Sequence, residues 1–292
     1  MTTLRYETTR RTVSQPTPPR LSLSISLNYV TLFALAALFL LPMLIVVSTS
    51  LKTPEEVYTW PPTMIPQNPT FENYTLAFEN YNFPLLFRNS LVVAGARVLG
   101  ILIFNSLVAY AFARLRWPGR DIWFMLLMTT MILPHEVTLI PLFKIFRDLG
   151  LLGSFWPLIL PRWIGSPFLI FLMRQFFKGI PEELSDAARI DGANELQIYW
   201  RVILPLSLPV LATCVLYEFS WAWNDFMGPL IYLNDSSMWT LPLGLHKMAN
   251  EAVVNWGAVM AAGLLTMLPV AAVFLTLQRY FVENSAVAGI KG

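Results

Sequence analysis

Residues 181–205 read Pro-Glu-Glu-Leu-Ser-Asp-Ala-Ala-Arg-Ile-Asp-Gly-Ala-Asn-Glu-Leu-Gln-Ile-Tyr-Trp-Arg-Val-Ile-Leu-Pro, the longest charged and amphipathic run in an otherwise apolar chain. Pro181 suits the first position of a helix, and the two glutamates after it lie at the positive end of the helix dipole. Gly192 is suited to the left-handed conformation that ends a helix. Asn194 and Gln197 have the spacing of a cap for a second helix. The stretch therefore predicts a helix, a tight turn and a second helix.

The first of these helices has a face of small residues. Leu184, Ala187, Ala188 and Asp191 recur at helical spacing. Small side chains allow another protein to approach closely. The ordinary alternative, an amphipathic helix lying on the membrane, requires a larger apolar face and a more basic polar face. The pattern favours a docking site for a protein.

The composition is that of a membrane protein. Of 292 residues, 55% are hydrophobic and 13% are charged, and the mean hydropathy is +0.55; soluble domains carry about 25% charged residues. The net charge of +2 is too small to indicate nucleic-acid binding. Cys214 has no partner for a disulfide, and the distant pair His135 and His246 predicts no metal site.

Apolar runs long enough to cross a bilayer occur repeatedly along the chain. We predict an all-α membrane protein with six transmembrane helices and an acidic external loop between the first two. Prolines in or beside these runs are typical of a bundle around a pathway. The predicted spans are residues 29–47, 87–112, 122–143, 155–177, 206–231 and 256–281.

The basic residues predict the orientation. Most of the 20 Lys and Arg lie in the N-terminal tail, near residues 114–120, within residues 174–201 and at the C-terminus, and few lie in the alternate loops. Basic loops remain in the cytoplasm. We therefore expect a multi-pass protein of the inner (plasma) membrane, with both termini and residues 181–205 in the cytoplasm.

The stretch also contains a motif with a known family resemblance. It resembles the signature loop of permease subunits of binding-protein-dependent ABC importers, with Asp186 where that family has Glu and Val202 where it has Ile. The resemblance implies the type-1 ABC importer permease architecture, in which this loop is a cytoplasmic coupling helix seated in a cleft of the ATPase subunit. The coupling residues that it implies are Glu183, Asp186, Ala187, Ala188, Arg189, Asp191, Gly192, Leu204 and Pro205.

Later segments are similar to the second permease subunit of maltose-type carbohydrate importers. They are residues 89–91, 109–114, 223–226 with 229–230, 240–244 and 288–292. The resemblance implies import of a sugar or oligosaccharide. It also implies a second, different permease, two ATPase subunits and an external substrate-binding protein as partners, in contact with membrane lipid.

The chain has no Gly-x4-Gly-Lys-Ser/Thr phosphate loop. We therefore expect no enzymatic activity and no cofactor on this chain, with ATP and Mg bound by the partner ATPases. The expected organisation is a disordered cytoplasmic tail (1–27), a first transmembrane helix with an external loop (28–84), the permease core (85–281) and a cytoplasmic C-terminal tail (282–292).

The fifth span predicts part of a substrate pathway. Cys214, Glu218, Trp221 and Asp225 fall on one helical face, and a carboxylate facing lipid would cost a few kcal/mol, so this face should look into the bundle or toward a partner. Carboxylates accept hydrogen bonds from sugar hydroxyls, and a Trp ring covers the apolar face of a pyranose. The predicted pathway residues are Glu218, Trp221, Asn224 and Asp225. The alternative, that the carboxylates hold subunits together or pair with Arg97, stays open.

Other functions are also open from the sequence. Glycerol phosphates, polyols and modified sugars are carried by importers that share these motifs. A proton-driven secondary transporter would use His135, Glu136, Glu218 and Asp225, but its usual internal repeat is not evident. A six-span membrane enzyme would need a catalytic cluster, and none is evident.

Overall fold

The structure, a computed structural model, describes residues 23–280, in which every regular element is helical. The chain divides into two units, residues 1–45 and 46–292. Helix α1 (Leu23–Ser50) begins in the first unit and ends in the second. The predicted disordered tail is therefore wrong for residues 23–27, because Leu-Ser-Ile-Ser-Leu is apolar enough to extend the helix. The rest of that tail and the predicted C-terminal tail lie outside the described residues.

The second unit consists of helices joined by short turns. A π-helical turn, Ile101–Asn105, joins α4 to α5, and another, Tyr199–Ile203, joins α11 to α12. The helices are α2 (Pro54–Val57), α3 (Glu72–Glu79), α4 (Phe83–Gly100), α5 (Ser106–Arg114), α6 (Arg120–Thr129), α7 (His135–Asp148), α8 (Trp156–Ile164), α9 (Pro167–Gly179), α10 (Glu182–Ile190), α11 (Glu195–Ile198), α12 (Leu204–Leu206), α13 (Leu208–Trp223), α14 (Met227–Tyr232), α15 (Leu241–Ala249) and α16 (Trp256–Leu277).

Four helices among the described residues are long and apolar enough to cross a membrane, and two bent pairs raise the number to six if each pair is one span. The four are Leu27–Ser50, Phe83–Arg114, Trp156–Gly179 and Trp256–Tyr280. The bent pairs are Arg120–Ile132 with Glu136–Asp148, and Glu195–Leu206 with Leu208–Trp223.

The third predicted span, 122–143, is not one continuous helix. Its two halves meet at an angle of 104°. Leu133 is extended, with φ −72° and ψ 118°, because the ring of Pro134 disfavours the helical conformation in the residue before it. His135 and Glu136 therefore begin α7 after a break, as expected if this pair lies at a broken helix rather than inside a straight span.

The fifth predicted span, 206–231, is also interrupted. Helix α13 begins at Leu208, after a 78° bend, and ends at Trp223, so Asp225 lies beyond its end. Asp225 instead lies just before α14, and its Oδ1 accepts a hydrogen bond from the N–H of Gly228 in the first turn of that helix at 3.0 Å. The prediction that Cys214, Glu218, Trp221 and Asp225 share one helical face is therefore wrong for Asp225.

The main core of the unit joins α5, α9 and the segment after α11. Leu169, Met173 and Phe177 of α9 are fully buried at helical spacing. Helix α8 packs closely on α4, where Trp163 donates from Nε1 to the carbonyl of Ala96 at 2.8 Å and its ring fills the space that a side chain at Gly100 would occupy. This packing places the α8 side chains beside α4.

The segment predicted only as an acidic loop contains α2 and α3. Asn73 in α3 donates from Nδ2 to the carbonyls of Ser50 and Lys52 at 2.9 and 2.7 Å. Glu56 is buried and accepts from Thr63 Oγ1 and the N–H of Gln67, both at 2.9 Å. The loop is therefore fixed to the end of α1 by side-chain hydrogen bonds.

Candidate functional site

The stretch 181–205 forms the predicted helix, turn and helix. Gly192 lies between α10 and α11 with φ +83°. The side chain of Asn194 accepts a hydrogen bond from the N–H of Gln197, and the side chain of Gln197 accepts one from the N–H of Asn194, both at 2.9 Å. Pro181 is not the first helical residue. Its ψ of 135° is extended, so it is the N-cap residue and the helix begins at Glu182.

The exposed face of α10 differs from the predicted one. Leu184 and Ala187 are exposed as expected, but Ile190, which was not among the residues of the predicted face, is 87% exposed. Ala188 turns inward and packs against the main core. Three apolar residues at spacings of three, Leu184, Ala187 and Ile190, therefore form the free surface, which we call the α10 face.

The other predicted coupling residues surround this face. Glu183, Asp186, Arg189, Asp191 and Gly192 are exposed. Leu204 is half-buried against the core and Pro205 is exposed, both in α12.

A chain of side-chain hydrogen bonds connects α10 to α5. Arg189 donates from Nη1 to Asp186 Oδ1 at 2.7 Å and from Nε to Glu195 Oε1 at 3.0 Å. Tyr110 in α5 donates from Oη to Glu195 Oε2 at 2.7 Å. The hydrogen bond with Glu195 raises the pKa of Arg189 above its ordinary value. We call these four residues the polar chain; Glu195 had no sequence signal because its partners are distant in sequence or on another helix.

Arg114 fixes the segment that enters α10. It donates from Nη2 to the carbonyls of Phe177, at 2.7 Å, and Ile180. These carbonyls lie at and just after the end of α9, where the regular helical hydrogen bonds stop, although the carbonyl of Phe177 also accepts from the N–H of Ile180 at 3.3 Å. From the sequence, Arg114 is only one residue of a family motif. Its contacts in the structure show that it positions the chain between α9 and α10.

A cavity of about 760 Å³ lies between α4, α8, α13 and α14. Three of the four residues proposed from the sequence for a pathway, Trp221, Asn224 and Asp225, line it. Glu218 and Cys214 do not line it, since both are fully buried behind its wall. The wall also includes Arg97, Arg162, Thr213, Tyr217 and Ser220.

Two arginines and two carboxylates meet in the wall of this cavity. Arg97, which is 2% exposed, contacts Glu218 Oε1 from Nε at 2.6 Å and Asp225 Oδ2 from Nη1 at 3.2 Å. Arg162 is less tightly paired, with Nε 3.6 Å from Glu218 Oε1. The four charges balance. Pairing of Arg97 with Glu218, one of the two alternatives left open, is therefore what the structure contains.

An aromatic surface completes the cavity. The rings of Tyr217 and Trp221, one helical turn apart, are nearly parallel, at 18° with centroids 6.0 Å apart. Trp221 is 51% exposed, and the guanidinium of Arg162 lies 5.9 Å from its ring centroid. Tyr217 and Arg162 were missed as site residues, although Tyr217 precedes Trp221 by four, the spacing that aligns rings on a helix.

Known proteins share both the sequence and the fold. Residues 104–285 match the family described as binding-protein-dependent transport system inner membrane component. The chain is 32% identical to the arabinooligosaccharides transport system permease protein AraQ of Halalkalibacterium halodurans, over 96% of this chain and 100% of that one. It is 34% identical to the sn-glycerol-3-phosphate transport system permease protein UgpE of Yersinia enterocolitica, over 85% of this chain and 90% of that one.

A solved structure agrees. One chain of a bacterial ABC transporter involved in the import of the acidic polysaccharide alginate superposes with a TM-score of 0.79 and 27% identity, covering 91% of this chain and all of that one. The fold and the helical site thus define a permease of the type-1 ABC importer class. This chain belongs to the family of binding-protein-dependent transport system inner membrane components. It is a transport component that works with a binding protein and other ABC subunits, and the predicted family is confirmed.

Proposed function

We propose that this chain is one of two different permease subunits of an ATP-driven importer for a sugar or oligosaccharide. The chain crosses the inner membrane six times, with each bent helix pair counting as one span and both termini in the cytoplasm. Two partner ATPase subunits bind ATP and Mg, and an external binding protein delivers the substrate. The α10 face docks on an ATPase subunit.

The observation that carries the proposal is the connection from α10 to the cavity. The polar chain joins α10 to Tyr110, near one end of the helix Phe83–Arg114, and the same helix carries Arg97 in the cavity wall. The two contacts lie on the same span, on either side of its π-helical turn, and a packed helical segment with a contact at each place transmits a displacement between them. Movement of α10 by the ATPase is thereby coupled to the cavity.

The cavity suits an uncharged, hydroxyl-rich substrate. Its four charged side chains balance, so a charged ligand is not needed to neutralise them. Asp225, Asn224 and Ser220 supply polar groups, and the Tyr217 and Trp221 rings supply an apolar surface for a sugar ring. The arabinooligosaccharide relative has a substrate of this kind.

A glycerol phosphate is the second candidate substrate. The relative named for sn-glycerol-3-phosphate is 34% identical, and Arg162 is a cation in the cavity wall whose pairing with Glu218, at 3.6 Å, is looser than that of Arg97, at 2.6 Å. Guanidinium groups bind phosphate well. The two candidates differ in charge and are separable by direct assay.

The test is reconstitution of the full importer with its binding protein. We expect uptake of a neutral oligosaccharide that depends on ATP and on the binding protein, with no nucleotide hydrolysis by this chain alone. Saturable uptake of glycerol 3-phosphate with no uptake of any neutral sugar would select the second candidate. ATP hydrolysis by the purified single chain would contradict the assignment of the ATPase to partner subunits.

Trp221→Ala tests the pathway. Loss of one ring contact of about 1 kcal/mol lowers uptake at subsaturating sugar roughly fivefold, with complex yield unchanged. Trp123→Ala is the matched control, because Trp123 is similarly exposed but lies on α6, outside the cavity lining. If both variants transport normally, Trp221 does not contact the substrate. If the Trp221 variant fails to assemble, the residue is an interface residue.

A further inference from the structure

A positively charged patch lies where three candidate spans end or begin. One span ends at Arg114, the next segment begins at Arg120, and a third ends at Gly179. Ends of spans lie at the membrane surface, where lipid headgroups are found. The patch therefore has the depth of a phospholipid headgroup.

The cations of the patch outnumber its carboxylates. Arg120 Nε and Arg174 Nη2 share Asp121 Oδ1, at 3.2 and 3.7 Å, and Lys178 is close enough to repel both arginines. Arg116 pairs with exposed Glu182, at 3.5 Å. Within residues 23–280, four cations thus face two carboxylates, in addition to Arg114, whose Nη2 is used by backbone carbonyls.

Arg174 is held in place by other contacts. Its Nε donates to the carbonyl of Phe112 at 3.2 Å, and its guanidinium carbon lies 3.7 Å from the ring centroid of Phe124. Arg174 is buried, so its guanidinium cannot turn out into solvent and its positive charge stays beside the patch. The excess positive charge is therefore built into the packed structure.

A cavity of about 430 Å³ opens beside this charge. Arg116, Trp117, Arg120, Asp121 and Ile122 contribute to its lining. Both arginines reach it, and Trp117 has its ring against the ring of Phe112 at 5.6 Å. Tryptophan is enriched at the membrane surface, and paired arginines bind phosphate oxygens.

An apolar stripe leads away from the cavity along α6. Ile122 is 66% exposed, Met125 is 67% exposed, and Leu126 is also exposed. Their spacings of three and four place them on one side of the helix. A chain of methylene groups lying on this stripe would start at the cavity that contains the two arginines.

We propose that the patch is a binding site for one anionic phospholipid. The phosphodiester lies on Arg116 and Arg120 in the cavity, and an acyl chain lies on the stripe of Ile122, Met125 and Leu126. The excess of cations favours a lipid with net negative charge, such as phosphatidylglycerol, over zwitterionic phosphatidylcholine. The Arg116–Glu182 ion pair places this lipid beside the start of α10.

Native mass spectrometry of the full importer complex tests the site. Delipidated complex is titrated with phosphatidylglycerol or phosphatidylcholine, and bound lipids are counted. We expect one tightly bound phosphatidylglycerol that is lost in the double variant Arg116→Gln, Arg120→Gln, with roughly 30-fold weaker binding at about 1 kcal/mol for each cation. The double variant to Lys should retain most of the binding.

The matched control is Lys144→Gln with Arg147→Gln, two cations of α7 outside this patch. Equal loss of lipid in the control, or equal retention of both lipids by the wild type, would overturn the proposal. Glycerophosphoglycerol, which has the phosphodiester but no acyl chains, should not compete at concentrations equal to the lipid. If it competes equally, the cavity binds a free phosphodiester and the lipid assignment is wrong.

Ile122→Asp separates lipid from a protein that covers the same stripe. It places a carboxylate beside the cavity and should weaken phosphatidylglycerol binding in an assembled complex. If the substitution instead dissociates the second permease while lipid binding by the remaining subunits is unchanged, a protein occupies the stripe and the proposal fails.

Discussion

Gly192 sets the angle between α10 and α11 through its backbone alone. Its φ is +83°, and a Cβ built on it would meet no atom within 4 Å. A substitution there costs conformational energy and creates no clash. For a β-branched residue the left-handed conformation costs roughly 1–2 kcal/mol. That cost is small compared with the stability of the whole protein, but relieving it would change the angle between α10 and α11 and so displace the α10 face.

Gly192→Val should therefore uncouple transport from ATP hydrolysis while the complex still assembles. Gly153→Val is the matched control, since Gly153 also has a positive φ, +73°, and no neighbour within 4 Å, but it lies outside the α10–α11 unit. The measurement is sugar uptake per ATP hydrolysed in proteoliposomes. Equal ratios in the wild type and both variants would remove Gly192 from the coupling site.

Arg97 is the residue whose loss should damage folding most. It is the closest partner of Glu218 and also contacts Asp225. Removing one member of a buried ion pair costs about 3–5 kcal/mol, whereas replacing both members by apolar residues is often neutral.

Arg97→Met should lower complex yield and thermal stability strongly, and Arg97→Met combined with Glu218→Met should recover much of the loss. Size-exclusion yield and thermal unfolding of the detergent-solubilised complex measure this. A double variant less stable than both single variants would show that the pair is not the dominant interaction.

At the scale of elements, turn and capping residues predicted helix boundaries more accurately than hydropathy predicted continuous spans. Gly192, Asn194 and Gln197 were placed correctly because a turn and a cap depend on residues within a few positions. Hydropathy outlined residues 122–143 as one span, since an average over an apolar window does not register one restricted residue; the break after Pro134 was indicated only by the polar pair His135 and Glu136 that follows it. Tyr110 and Glu195 are 85 positions apart, and no local pattern relates them. Arg97 with Glu218 was identified only as one alternative, because opposite charges in two spans do not reveal which helices pack together.

Glu56 in the short helix α2 makes the stability of the segment between the first two spans depend on pH. The N–H of Gln67 is the main group that lowers the pKa of Glu56 below its ordinary value near 4.5, with burial opposing and the Thr63 hydroxyl assisting. A carboxyl whose pKa is lowered by folding stabilises the fold above its unfolded pKa. That stabilisation is lost as the pH falls through the native pKa.

We expect the segment around Gln67 to exchange its amide hydrogens faster as the pH falls below about 4.5, after correction for intrinsic exchange rates. Glu56→Gln should show fast exchange already at neutral pH. Glu55→Gln, which changes the exposed neighbour in the same helix, should not. Identical exchange of Gln67 in all three proteins at neutral pH would show that Glu56 does not hold the segment.

At the scale of the whole molecule, the untested prediction is the orientation. Six spans return both termini to one side, and the basic residues favour the cytoplasm for that side. The native Cys214 is fully buried, so it contributes little background to a thiol assay.

Thr12→Cys should react with an impermeant thiol reagent in inside-out vesicles and not in intact cells, and Asn284→Cys should do the same. Glu72→Cys, in the segment between the first two spans, should show the opposite pattern. Labelling of Thr12→Cys from outside intact cells would show that the predicted orientation is wrong.

The α10 face also bears on how long the protein survives in the cell. Ile190 is 87% exposed, beside Leu184 and Ala187, and under the proposed docking this surface is covered only while the ATPase subunit is bound. Newly made chains that outnumber their partners would present it to chaperones and proteases. We therefore expect the cellular half-life of this subunit to increase with the amount of the proposed ATPase partner. The subunit would then accumulate only when both proteins are made in balanced amounts.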